Sequence, residues 1–131
     1  MPTTVRVLFA EDEALIAVSL TDLLEAEGYE IHHVWDGIAA LAMAQCLRGN
    51  FDLLVTDLNM PGMRGEELIR ALRSTRPALP VVVVTGSAPA GGAEALQRWS
   101  GGHGPLALLH KPVAARDLLA ALRRVTVATV P

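Results

Sequence analysis

Four short stretches of this 131-residue chain place carboxylates, a hydroxyl and an ammonium at the ends of apolar runs. Glu11-Asp12-Glu13 follows the run that ends at Ala10, and Asp57-Leu58-Asn59-Met60-Pro61-Gly62 follows the run that ends at Thr56. Thr85-Gly86 closes the run that opens at Pro80, and Lys111-Pro112 follows Leu106 to His110. If these ends lie side by side, Glu11, Asp12 and Asp57 converge with Thr85 and Lys111 in one shallow cleft. Three carboxylates a few ångströms apart repel by about 4 kcal/mol per pair at an effective dielectric of 20, so something cationic must neutralise them. Lys111 supplies one charge. A hard divalent ion would supply the rest, and Mg2+ suits one or two carboxylates plus a phosphoryl group, with several waters retained. A carboxylate beside such an ion can attack phosphorus and form an aspartyl phosphate, the metal and the ammonium balancing charge on the transferring oxygens. Asp57 is the candidate nucleophile, because it opens a loop and the sharp Met60-Pro61-Gly62 turn leaves it accessible. Thr85 could then hydrogen-bond a phosphoryl oxygen from the neighbouring strand end.

The elements that would bring these ends together are legible as alternating periodicities. Val5 to Ala10, Phe51 to Thr56, Pro80 to Thr85 and Leu106 to His110 are near-continuous apolar runs that suit central parallel strands, while Tyr29 to Val34 alternates as an edge strand does. Between them, Ile16, Leu20, Leu23 and Leu24 make a helical stripe ending at Gly28. Asp36 caps a second helix over Gly37 to Arg48, whose apolar residues include Ile38, Leu41 and Ala42. Leu68, Ile69 and Leu72 mark a third helix stopped before Pro77, and Leu118, Leu122 and Val125 mark a last one. The fourth helix is the weak one. Only Ala93 to Trp99 looks helical, within a stretch that holds Gly86, Gly91, Gly92, Gly101, Gly102 and Gly104, so a short or mobile element is expected. Five strands alternating with five helices through right-handed crossovers give a three-layer αβα sandwich, with the functional site at the C-terminal strand edge.

Composition narrows the function classes. Hydrophobic residues at 51% against 19% charged exclude a disordered chain and predict one domain over residues 1–126, with 127–131 a short tail. A net charge of -3 leaves no electrostatic footprint for nucleic acid. The longest apolar runs, such as Val81 to Val84, fall far short of the ~20 residues a membrane span needs. The opening Met-Pro-Thr-Thr-Val-Arg lacks a signal-peptide stretch, and the single Cys46 fits a reducing compartment, so a soluble cytoplasmic protein is expected.

Taken jointly, the strand-end residues resemble the receiver domain of bacterial two-component response regulators, from Val5 to about Val125. The resemblance implies a flavodoxin-like α/β fold, a five-stranded parallel sheet in order 2-1-3-4-5. It implies that Asp57 is the phosphoacceptor, Asp12 the direct metal ligand, Glu11 a second acidic group acting through water, and Asn59 a ligand through its backbone carbonyl, with Mg2+ the ion. Thr85 matches the switch hydroxyl and Lys111 the phosphate-binding lysine, whose bond to Pro112 is implied to be cis. A sensor histidine kinase or histidine phosphotransfer protein would be the phosphodonor. A downstream partner or a second copy would use the face of the fourth helix, fifth strand and fifth helix, which makes Trp99 and Asp117 to Arg124 candidates. Two departures stand out: Leu108 occupies the position usually held by Tyr or Phe, and the fourth-helix region is unusually rich in glycine. Any signal is therefore expected to travel by ordering that glycine-rich segment. The sequence as read leaves no room for an output domain after Val125, so either a stand-alone receiver or a part of a hybrid kinase or longer regulator is expected.

Two rivals follow from the same residues. A phosphorylation-independent pseudo-receiver is favoured by Leu108 and the glycines and opposed by the intact acidic set. A phosphohydrolase of the haloacid dehalogenase type would put Asp-x-Asp after the first strand, whereas Asp57-Leu58-Asn59 follows the third. Elsewhere the plainer readings lead. Adjacent His32 and His33 face opposite sides of a strand and share no metal. Cys46 is expected to pack as a small hydrophobe, and Trp99 to pack ahead of anchoring a partner. Asp12 and Glu13 could in addition cap the first helix. The glycines lack the Lys-Ser/Thr of a phosphate-binding loop.

Overall fold

The computed structural model describes residues 4–127 of the chain. Its elements run β1 (Arg6–Ala10), α1 (Ala14–Ala26), β2 (Glu30–Val34), α2 (Gly37–Cys46), β3 (Leu53–Thr56), α3 (Gly65–Thr75), β4 (Val81–Thr85), α4 (Gly92–Ser100), β5 (Leu106–His110) and α5 (Ala115–Val127). The helix α5 continues one residue past the expected domain end at 126, and residues 128–131 of the expected tail lie outside the described residues. All strand pairs are parallel, in the order β2-β1-β3-β4-β5 that the resemblance implied.

The strands are apolar on both faces because both faces are covered. Along β1, Leu8 and Ala10 point into one cluster and Val7 and Phe9 into the other; along β4, Val81 and Val83 alternate with Val82 and Val84 in the same way. The first cluster takes Ala40 and Ala44 of α2, Leu68, Ile69 and Leu72 of α3, and Leu96 of α4. The second takes Leu20 and Leu24 of α1 and Leu118, Leu122 and Val125 of α5. The chain thus steps outward from β1 to β2, then returns to β3 on the other flank of β1. Between β1 and β3 lies the switch point, where loops on opposite sheet faces splay apart and leave a crevice above the strand ends.

Three sequence expectations on α2 need correction. The helix buries Gly37, Ala40 and Ala44, while Ile38 and Ala42 face solvent, and it ends at Cys46 rather than Arg48. Small residues let α2 lie close to the sheet on a narrow stripe, with Leu41 and Met43 packed at its margin and Ile38 left outside it. Cys46, at the last turn and off that stripe, is exposed instead of packed. Asp36 caps the helix as expected, accepting the Ala39 N–H at 2.7 Å. Among the described residues no helix is long and apolar enough to cross a membrane.

Candidate functional site

Backbone hydrogen bonds stitch the strand ends into one platform. The Glu11 N–H donates to Val34 O at 3.1 Å, the Asp57 N–H to Ala10 O at 3.2 Å, and the Lys111 N–H to Thr85 O at 2.9 Å. The first residue past each apolar run is therefore fixed by its neighbour before its side chain does anything. After Asp57 the chain turns through Gly62, which sits at φ 79°, and enters α3 at Gly65, whose N–H donates back to Leu58 O at 2.9 Å. A Cβ on Gly65 would lie 2.1 Å from Asp57 O, so α3 can begin against this loop only because position 65 has no side chain.

The side chains converge as the strand order requires. Glu11, Asp12 and Asp57 each offer a carboxylate oxygen, all within 4.8 Å of one another. Glu11 and Asp57 are buried and Asp12 is exposed. Asp57 Oδ1 accepts the N–H groups of Leu58 at 2.6 Å and Asn59 at 3.2 Å, while Oδ2 accepts from Lys111 Nζ at 2.6 Å. The same ammonium reaches Glu11 Oε1 at 3.0 Å and Glu13 Oε1 at 3.1 Å. Burial pushes the Glu11 carboxyl above the usual carboxylate range, against the opposing pull of the Glu13 N–H and Lys111. Burial alone would lower the Lys111 ammonium, but its hydrogen bonds to Asp57, Glu11 and Glu13 outweigh that and hold it above the ordinary lysine value.

The donor set fits a hard dication. Four carboxylates face one ammonium, so a net negative charge remains, and Asp12 makes no hydrogen bond or ion pair among the described residues that would occupy its oxygens. Asn59 is exposed beside Asp57, and its N–H already helps to fix that carboxylate. Thr85 is buried at the end of β4, but its hydroxyl is turned to Ser87, accepting from that residue's N–H at 3.2 Å and donating to its carbonyl at 3.3 Å. To serve another oxygen it would have to leave the longer of these two bonds. The Lys111-Pro112 bond is cis.

The family model of the response regulator receiver domain matches residues 7–123, nearly the whole of this sheet and its helices. The chain belongs to the response regulator receiver family. A response regulator receiver protein of Anaeromyxobacter sp. (strain Fw109-5) is 39% identical over 114 residues, covering 87% of this chain and 45% of that protein. The sensor kinase CckA of Brucella abortus is 37% identical over 82 residues, covering 63% of this chain and 9% of the kinase. The receiver thus spans less than half the length of these curated relatives. Among solved structures, the chemotaxis response regulator CheY4 of Vibrio cholerae superposes with a TM-score of 0.80 at 32% identity, over 94% of this chain and 99% of that one. The receiver domain of the hybrid histidine kinase CckA does so at 0.76 and 29%, over 92% and 98%.

Other features of the receiver were missed or misplaced from sequence. Glu13 joins the site through Lys111 instead of capping α1 with its side chain. Trp99 lies beneath Arg70 of α3, with the guanidinium carbon 5.3 Å from the ring centroid, so it belongs to the α3–α4 side and not to the groove that Ala93, Gln97 and Leu106 line beside β5. His32 pairs with Glu30 at 2.7 Å, while His33 meets Glu11 O at 2.9 Å, consistent with opposite faces. Leu108 is half-buried on the α2–α4 side of the sheet, paired with Val83.

The glycine-rich stretch is anchored by a residue that sequence reasoning passed over. Arg73 is 2% exposed and has no carboxylate partner among the described residues. Its Nη2 donates to Leu79 O at 3.0 Å, Gly104 O at 2.8 Å and Pro105 O at 3.3 Å, and its Nη1 to Gly101 O at 3.1 Å and Gln97 Oε1 at 2.7 Å. Gln97 Nε2 returns to Gly104 O at 2.8 Å. These bonds tie α4 and the following loop to the end of α3, which lets a nine-residue helix form despite its glycines. The signal was present: Arg73 stands four residues after Ile69, on the buried face of α3.

Proposed function

We propose that this receiver is a phosphorylation-dependent switch in a two-component phosphorelay, with Asp57 the phosphoacceptor. The observation that supports this best is the joint placement of Asp57 Oδ2 against Lys111 at 2.6 Å and of Asp57 within one carboxylate cluster with Glu11 and Asp12. Glu11, Asp12, Asp57 and the Asn59 carbonyl are the groups proposed to hold Mg2+. Bound there, the ion would offset charge on the transferring phosphoryl oxygens. Leu58 and Asn59 orient the Asp57 carboxylate through its Oδ1. The carboxylate attacks the phosphorus of a phosphohistidine on a histidine kinase or phosphotransfer protein; the P–N bond breaks, a P–O bond forms, and the imidazole takes a proton from solvent. Lys111, already against the Asp57 carboxylate, meets a phosphoryl oxygen as well, and Thr85 turns from Ser87 to meet another. Attack by water then returns the carboxylate and releases phosphate, so the reset is intrinsic and no separate substrate turns over.

Downstream, the groove lined by Ala93, Gln97 and Leu106 and the adjacent face carrying His110, Asp117 and Arg124 form the proposed surface for a partner or second copy. The cytoplasm, where an exposed thiol such as Cys46 stays reduced, is the proposed compartment. Leu108 favours a second reading, a pseudo-receiver whose surface does not respond to phosphorylation. Intact mass after incubation with acetyl phosphate, with and without Mg2+ and beside Asp57→Asn, separates the two. One added phosphoryl group requiring both Mg2+ and Asp57 supports the switch. No addition, together with no binding of beryllofluoride and Mg2+, leaves the pseudo-receiver.

A further inference from the structure

We propose that Glu13 competes with the phosphoryl group for the Lys111 ammonium and thereby sets how tightly the site holds that group; this rests on the phosphoacceptor reading of Asp57. The first observation is a cap residue that does not cap. Glu13 stands at the N-cap of α1 with extended backbone (φ −88°, ψ 113°), where a side-chain oxygen ordinarily accepts an N–H of the first turn, yet its side chain makes no such bond. Its carboxylate is instead 3.1 Å from Lys111 Nζ, across 98 residues of sequence.

The second observation is that Lys111 has no donor to spare. An ammonium carries three N–H groups, and Asp57 Oδ2, Glu11 Oε1 and Glu13 Oε1 lie at 2.6, 3.0 and 3.1 Å. A phosphoryl oxygen can bind Lys111 only by displacing one of them. Asp57 is the acceptor itself. Glu11 is 1% exposed, and its second oxygen is held by the Glu13 N–H at 3.0 Å, so releasing it would strand a buried carboxylate. Glu13 is 59% exposed, and water can take over its oxygens at once. It is the partner that leaves, and after leaving its charge still faces an anion a few ångströms away. Glu13 is therefore a positioning residue that acts through Lys111, holding the ammonium in place while the site is empty and weakening the hold once it is filled.

The test is a titration of the full chain with beryllofluoride in the presence of Mg2+, followed by 19F NMR, for the wild type, Glu13→Gln and Glu13→Ser, with Asp57→Asn as the non-binding control. Ser is a favoured N-cap residue, so that variant keeps α1 in place if Gln should loosen it. Both substitutions are expected to tighten binding about three- to tenfold, and the gain should shrink as salt rises, because one partner is solvent-exposed. If Glu13 only serves the helix, melting temperatures will move while the dissociation constants of wild type and variants coincide. Coincident or weaker binding by the two folded variants overturns the role of Glu13 alone. If the wild type and both variants all fail to bind, the phosphoacceptor reading itself falls, and this inference with it.

Discussion

Replacing Gly65 by alanine is the sharpest single perturbation of the loop that carries Asp57. At the first turn of a helix, Gly→Ala should ordinarily help, by up to about 1 kcal/mol. Here an ideal Cβ would stand 2.1 Å from Asp57 O, 2.8 Å from Leu58 Cα and 3.0 Å from Asp57 C, and all three are backbone atoms that cannot rotate aside. Relief needs a shift of about 1 Å between the start of α3 and the Asp57 loop, in a region where Gly65 N–H also holds Leu58 O at 2.9 Å. Overpacking of a tight interior costs about 1–3 kcal/mol, so a net loss of about 2 kcal/mol is expected, and the Asp57 carboxylate should move off its Lys111 contact. Urea unfolding gives the first quantity, and the rate of labelling by acetyl phosphate gives the second. Gly86 is the matched control: it directly follows Thr85, has no atom within 4 Å of an added Cβ, and should accept alanine within about 0.5 kcal/mol. A Gly65→Ala protein as stable as the Gly86→Ala protein and labelled at the wild-type rate would refute the steric argument.

Three further outcomes are expected. Arg73→Met should destabilise by about 3 kcal/mol, since it strands the buried carbonyl of Leu79 and the half-buried carbonyl of Gly101, and hydrogen exchange over residues 101–105 should accelerate more than in β1. Mg2+ at about ten times its dissociation constant should raise unfolding stability by about 1.4 kcal/mol, and Asp12→Asn should abolish most of that gain in a melting experiment. Lys111 has its folded value raised, so its stabilising contribution is fully present below the ordinary 10.5 and is lost as pH rises beyond it. Wild-type stability should accordingly fall more steeply above pH 10.5 than that of Lys111→Met in parallel urea titrations.

Much of the site was legible because the chemistry lies one residue past each apolar run. Once four runs are read as parallel strands, handed crossovers leave a single edge on which Glu11, Asp12, Asp57, Thr85 and Lys111 can meet. Glu13 was not legible in the same way, since a carboxylate at a helix start is usually taken up by that helix. Its partner lies at the far end of the sequence, and only the register of β1, β3, β4 and β5 brings the two together. The exposure of Ile38 and Cys46 was hidden by a different cause: where the buried stripe is made of glycine and alanine, hydrophobicity no longer marks the inner face. Arg73 escaped notice because arginine on a helix is normally read as solvated, and its five acceptors are main-chain carbonyls and one amide that carry no sequence signature.

Surface loops rich in glycine usually tolerate added or deleted residues. The loop from Gly101 to Pro105 should not, because its carbonyls are spaced to fit the planar fork of one guanidinium. Adding or removing a single residue would shift the loop's acceptors out of reach and leave the buried Arg73 cation held only by Leu79 O and Gln97 Oε1. The stretch that looks most elastic in this chain is therefore a measured length, and α4 is set at the distance it dictates.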